Sequence, residues 1–304
     1  MLTLDDVKGF DALVPKTLPT GEPGPVALTR CLGIVKHFLG EKWLRTHIVC
    51  AARDEYLGLD FTSDITREEK TFRILELAEI LFNLQCTDGF RSCIKQLEAG
   101  QIEGTYAELE TAKWLYVYEV PFRFNTPVGA RGCDYDLELD YGTVRVAADT
   151  KCKLEHSVVD PNSVKNTLYD NRDQLPKDRP GVMFVKLPAH WLETPHIMDI
   201  ITAITNDFFA NTGRVVAIKY YSPLRVIDGG VVRAFFRFRE LTNPKHRFAD
   251  LKLNWDLWGE KTAKDGMLPL PERWTRVIEW PLPASPRASE PAGAGSLTGR
   301  SEAQ

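Results

Sequence analysis

Between Cys133 and Lys153 the chain sets carboxylates at Asp134, Asp136, Glu138, Asp140 and Asp149, and lysines at Lys151 and Lys153. Successive side chains on a strand point to opposite faces, so two arms joined by a tight turn gather these charges on one face. In the first arm Cys133, Tyr135, Leu137 and Leu139 point away from the acids. In the second, Val144, Val146, Ala148, Thr150 and Cys152 oppose Arg145, Ala147, Asp149, Lys151 and Lys153. With Tyr141-Gly142 as a two-residue hairpin turn, Glu138 faces Arg145, Asp134 faces Asp149, and Asp136 lies diagonal to Asp149. Like charges placed opposite each other destabilise a sheet. Lys151 offsets one of them, and a hard cation such as Mg²⁺, held by one or two carboxylates and retained waters, would offset the rest. The competing explanation is a solvated sheet face whose acids serve solubility.

The elements around this hairpin decide what it can do. Upstream, the spacing predicts a helix over 105–118 with Thr105 as N-cap and Glu108 three residues on, a capping-box pattern. Glu108 shares a helical face with Ala112 and Leu115 and has no basic residue at helical spacing, so it is a candidate inward carboxylate. Glu110 has Lys113 as an expected surface partner. Val120–Asn125 alternates as a short strand. Beyond the hairpin, Asp160-Pro161 opens a helix that ends at Pro176, and residues 181–187 form an apolar run expected of a strand buried on both faces.

The order helix-Glu, strand, strand-Asp, turn, Asp-x-Lys on the next strand resembles the PD-(D/E)XK nuclease superfamily, the restriction-endonuclease-like fold. The residues that carry the likeness are Glu108, Asp136 or Asp134, and Asp149-Thr150-Lys151, followed by the helix and strand up to Val185. The first acid lacks the family's preceding proline, and Asp149 stands where glutamate is commoner. The resemblance implies an α/β fold, a mixed sheet flanked by helices, and Mg²⁺-dependent hydrolysis of phosphodiester bonds, most naturally in DNA, with Mn²⁺ as a substitute. Glu108, Asp136 or Asp134, and Asp149 would hold metal. Lys151 would orient the attacking water or stabilise phosphoryl charge. Lys153 is a candidate phosphate contact, and Arg172 and Gln174 sit where related nucleases place supporting residues. An alternative keeps the fold and discards catalysis, leaving a nucleic-acid-binding or protein-interaction module.

Composition sets the bounds. The chain has 304 residues, 43 % hydrophobic and 26 % charged, ordinary for a globular protein with a sizeable core. No run of about 18 apolar residues predicts a membrane span, and the start lacks the pattern of a signal peptide, so a cytoplasmic location is expected. Six cysteines without paired short spacing read as reduced apolar residues rather than zinc ligands. A net charge of −4 does not advertise nucleic-acid binding, so a local basic strip is required. The alternating Arg233, Phe235, Arg237 and Arg239 offer one, with Arg237 as the chief candidate contact. A second copy or another protein as partner is left open.

Along the chain, residues 1–103 read as an N-terminal helical region, with a loose lead-in to residue 24 and helices over 26–53, 69–85 and 91–98. Glu76 and Glu79 are expected on the exposed face of the second. Residues 104–220 form the nuclease-like core, and 221–282 a strand-rich extension with a turn at Asp228-Gly229-Gly230 and docking aromatics Trp255 and Trp258. Residues 283–304, rich in Ala, Gly, Ser and Pro, read as a disordered tail.

Overall fold

The apolar run read from the sequence is a strand, β4 (Gly181–Lys186), and it is buried from end to end. The computed structural model describes residues 1–13, 23–51, 55–59, 64–228, 231–248, 251, 253 and 274–277. Within them β4 lies inside a six-stranded open sheet ordered β1 (Phe122–Phe124), β2 (Leu137–Tyr141), β3 (Val144–Cys152), β4, β5 (Val215–Asp228) and β6 (Val231–Thr242). β3, β4 and β5 run parallel, and the outer pairs are antiparallel. Parallel neighbours need crossovers, which α6 (Pro161–Gln174) and α7 (Ile197–Ala210) supply. The fold is therefore mixed α/β.

Alternation along the central strands divides two cores. Val146 and Ala148 of β3 and Val182 and Phe184 of β4 pack with the N-terminal helices: α1 (Leu4–Gly9), α2 (Pro23–Leu44), α3 (Asp64–Leu84), α4 (Phe90–Glu98) and α5 (Ile102–Val117). Ala147, Met183 and Val185 pack with α6 and α7. Trp114 of α5 is 2 % exposed and meets Tyr221, Phe236 and Phe238 edge-on at 4.5, 5.1 and 5.5 Å, which seats the β5–β6 hairpin on the same core.

Several expectations need correcting. Residues 1–13 of the lead-in are not loose: a Thr3/Asp6 capping box starts α1, a 3-10 turn follows over Phe10–Leu13, and Leu2 and Val7 are buried; residues 14–22 lie outside the described residues. α5 begins at Ile102, so Thr105 is no cap; its hydroxyl donates back to the Gln101 carbonyl at 2.5 Å. Glu76 is buried, accepting from Lys113 at 2.8 Å and from the Tyr106 hydroxyl at 2.9 Å. Lys113 is thus taken, and Glu110 is no surface residue. Cys133, expected on the hairpin's apolar face, is exposed in the loop before β2. The central glycines of the 228–230 turn, Trp255, Trp258, the tail from 283, and the side chains of Arg233 and Phe235 lie outside the described residues.

Glu110 is 0 % exposed and accepts from Lys186 Nζ at 2.7 Å. The same ammonium donates to the Tyr56 hydroxyl at 3.0 Å and lies 4.9 Å from the centre of the Tyr106 ring. Burial alone would lower the Lys186 pKa, but the Glu110 charge outweighs it and holds the ammonium well above its ordinary range. This pair fastens α5 to the end of β4. Removing one partner strands a buried charge, so Lys186→Met is expected to cost about 3–5 kcal/mol in urea denaturation. The double change with Glu110→Leu should recover most of that loss; an equal loss from both variants would contradict the assignment.

Candidate functional site

The hairpin turn is Gly142-Thr143, one residue later than expected, with Tyr141 paired to Val144. Gly142 carries the positive φ, 67°, and a two-residue turn whose first central residue is glycine matches the strand twist. The register thereby shifts by two residues, which preserves which side chains share a face. Glu138 now pairs with Ala147 and Asp140 with Arg145. The Asp136 backbone continues the ladder, donating to the Ala148 carbonyl at 3.1 Å. Asp136, rather than Asp134, stands against Asp149.

Asp134 serves the preceding loop, its Oδ1 accepting from the Val128 and Gly129 amides at 2.9 Å each. Asp136 Oδ2 accepts from the Thr150 amide at 2.6 Å, and its carboxyl lies within electrostatic reach of that of Asp149. Lys151 Nζ donates to Asp149 Oδ1 at 3.0 Å and sits 2.8 Å from Oδ2 as an ion-pair contact without a well-directed hydrogen bond. Glu108, 3 % exposed, comes from α5 into electrostatic reach of Asp136, Asp149 and Lys151. Its Oε1 accepts from the Cys93 thiol of α4 at 3.1 Å.

The electrostatics follow from burial. Asp149 is fully buried, and desolvation, then the Asp136 charge, push its pKa well above the carboxylate range, with Lys151 pulling the other way. Desolvation and Asp136 likewise raise Glu108. Asp136 is raised by desolvation, against the Lys151 charge and the Thr150 amide. Burial would lower Lys151, but Asp136 and Asp149 outweigh it and raise its pKa. Burial and the Glu108 charge also raise the Cys93 thiol, which keeps it a hydrogen-bond donor. Three acids therefore share one ammonium, and burial favours the protonated form of each. Lys151, 30 % exposed, and half-buried Asp136 open the cluster to solvent.

The other expected contacts fall elsewhere. Lys153 Nζ donates to the Ser163 carbonyl at 2.7 Å and the Thr167 hydroxyl at 2.6 Å, pinning β3 to α6. The Arg172 guanidinium lies 5.1 Å from the centre of the Tyr169 ring and 3.7 Å from Asp173 at the end of α6. Gln174 is half-buried at the end of that helix, with its Oε1 buried. Arg237 is exposed on β6, three strands from β3. The Cys93–Glu108 contact had no signal in the sequence, since nothing local says which face of α4 meets α5.

The oxygen-only donor set suits a hard cation held by one or two carboxylates and water, and the raising of both Glu108 and Asp149 by the Asp136 charge marks excess negative charge. Among the described residues, no three His, Cys, Asp or Glu side chains enclose a metal position on their own. No family model matches the chain, and no curated protein or solved structure matches it either.

A carboxyl whose pKa rises on folding binds its proton more tightly folded than unfolded. It therefore weakens the fold increasingly as pH climbs from its unfolded pKa, about 3.9 for Asp, toward its folded value. In metal-free buffer the unfolding temperature is expected to rise as pH falls from 8 toward 5. Asp149→Asn should flatten this profile and raise Tm at pH 8 by about 2–4 °C. Parallel profiles for the two proteins in thermal melts would contradict the coupling.

Proposed function

We propose that this chain is a metal-dependent phosphodiesterase acting on DNA, of the PD-(D/E)XK nuclease type. The carrying observation is the rung of Asp136 against Asp149 with Lys151 two residues on, and Glu108 of the preceding helix in electrostatic reach. The order α5, β1, β2, β3, α6, β4 supports a restriction-endonuclease-like arrangement.

In this reading Asp136 and Asp149 would hold Mg²⁺, with Glu108 completing the charge behind them. Bound there, Mg²⁺ would acidify a water and neutralise phosphoryl oxygens. Lys151 is the group that meets the substrate: its ammonium, anchored on Asp149 and partly open to solvent, neutralises charge on the phosphoryl group or orients the attacking water. The Cys93 thiol and the Thr150 amide fix the rotamers of Glu108 and Asp136. One observation favours an inactive nucleic-acid-binding or interaction module: Lys151 already contacts both oxygens of Asp149.

Labelled single-stranded, duplex and branched DNA, and RNA, incubated with Mg²⁺ or Mn²⁺ decide between them. The expected result is metal-dependent cleavage of a DNA substrate, reduced by about 10²-fold or more in Lys151→Ala. Absence of cleavage on every substrate, or equal cleavage by the variant, contradicts the proposal.

A further inference from the structure

We propose that six arginines gathered on Glu138 and Asp173 form one docking ridge for the phosphate backbone of a nucleic acid. Glu138 takes Arg123 at 2.6 Å, Arg179 at 2.8 Å and Arg145 at 3.3 Å. Asp173 takes Arg131 at 2.6 Å, Arg214 at 3.3 Å and Arg172 at 3.7 Å. Each carboxylate can neutralise one guanidinium, so the ridge carries an excess of four positive charges, or three if exposed Asp140 opposite Arg145 is counted. The whole chain carries −4, so the local sign is opposite to the global one.

The two triads are continuous. The Tyr135 hydroxyl donates to Glu138 at 2.9 Å and accepts from Arg179 at 2.9 Å. Arg131 precedes Tyr135 by four residues, a span of at most about 14 Å. Between them Gly132, at φ 84°, lies against the backbone of Leu175 and Pro176, which joins the loop to the end of α6.

Arginines held this close repel one another. Burial first, then the Arg172, Arg131 and Arg247 charges, act against protonation of Arg214, with Asp173 opposing them. A polyanion laid across the group relieves that repulsion, and the guanidinium fork fits phosphate oxygens in pairs. Arg131, Arg145 and Arg123 project into solvent with side chains 73, 60 and 52 % exposed.

The ridge and the acidic cluster share one face of the sheet, with buried Ala147 between them. Glu138 pairs with Ala147, so by strand alternation it shares its face with Asp149, and Arg145 lies four residues back along β3, about 13 Å away.

Choosing a nucleic acid over an acidic protein rests on the phosphodiesterase reading, whereas the test is made without cleavage. Fluorescence anisotropy of labelled 20-nucleotide single strands and duplexes is measured in EDTA across a salt series. The expected result is saturable binding that weakens linearly with salt on logarithmic axes. The triple variant Arg123→Gln/Arg131→Gln/Arg145→Gln should lose about tenfold or more at low salt, with a shallower slope. Glu138 keeps Arg179 and Tyr135 in that variant, so the fold is retained. Arg91→Gln, on exposed Arg91 of α4, should bind like the unaltered protein. No saturable binding, binding unchanged in the triple variant, or equal affinity for polyglutamate overturns the ridge. Ridge-dependent binding without cleavage under any metal leaves the ridge standing and removes the phosphodiesterase reading. Cleavage with unchanged binding in the triple variant does the reverse.

Discussion

Water withdrawn from a carboxylate must be replaced by something, and α5 answers this constraint in two different ways two residues apart. Glu110 receives a full ammonium from Lys186, and the phenol of Tyr221 lies 3.4 Å from the same oxygen. Glu108 receives a thiol from Cys93 and faces two more acids, Asp136 and Asp149, that share Lys151. The first arrangement is balanced and ties helix to sheet. The second is short of positive charge. A fold tolerates such a deficit where it is put to use, which is why the imbalance, rather than the mere presence of acids, marks the candidate site.

The same accounting separates the remaining charged residues. Glu138 and Asp173 have the opposite problem, each surrounded by three arginines. Carboxyl groups in excess of ammonium are buried near the end of β3, and excess positive charge is spread around Glu138 and Asp173. An extended anion with a metal at one phosphate would satisfy both deficits. The scaffold that separates them is the sheet itself: β2 and β3 fix the spacing between Arg145 and Asp149, and α6 carries Arg172 and Asp173 to the far end of its length.

Much of this was legible because it is local. Strand alternation gave the charged face of the hairpin, Asp160-Pro161 gave the start of α6, and the apolar run gave β4. Choosing between Asp134 and Asp136 required the turn geometry, and a single glycine placed one position earlier in the turn moved the register by two. Glu110 illustrates the limit more sharply. Its i+3 lysine is real, yet Lys113 is taken by Glu76 of another helix, while Glu110 pairs with a residue 76 positions away. Long-range partners such as these, together with Cys93 on Glu108 and Arg179 on Glu138, leave no periodic trace in the sequence.

Under this proposal a hard cation would fill the charge deficit at Glu108, Asp136 and Asp149. The most direct measurement is calorimetric titration of Mg²⁺ and Mn²⁺ into the unaltered protein and Asp149→Asn, in buffers of differing ionisation heat. The account predicts a saturable site with proton release in the first, weakened or lost in the second, because the acids must shed protons to take up metal. Equal heats from both proteins, with no proton release, would contradict it.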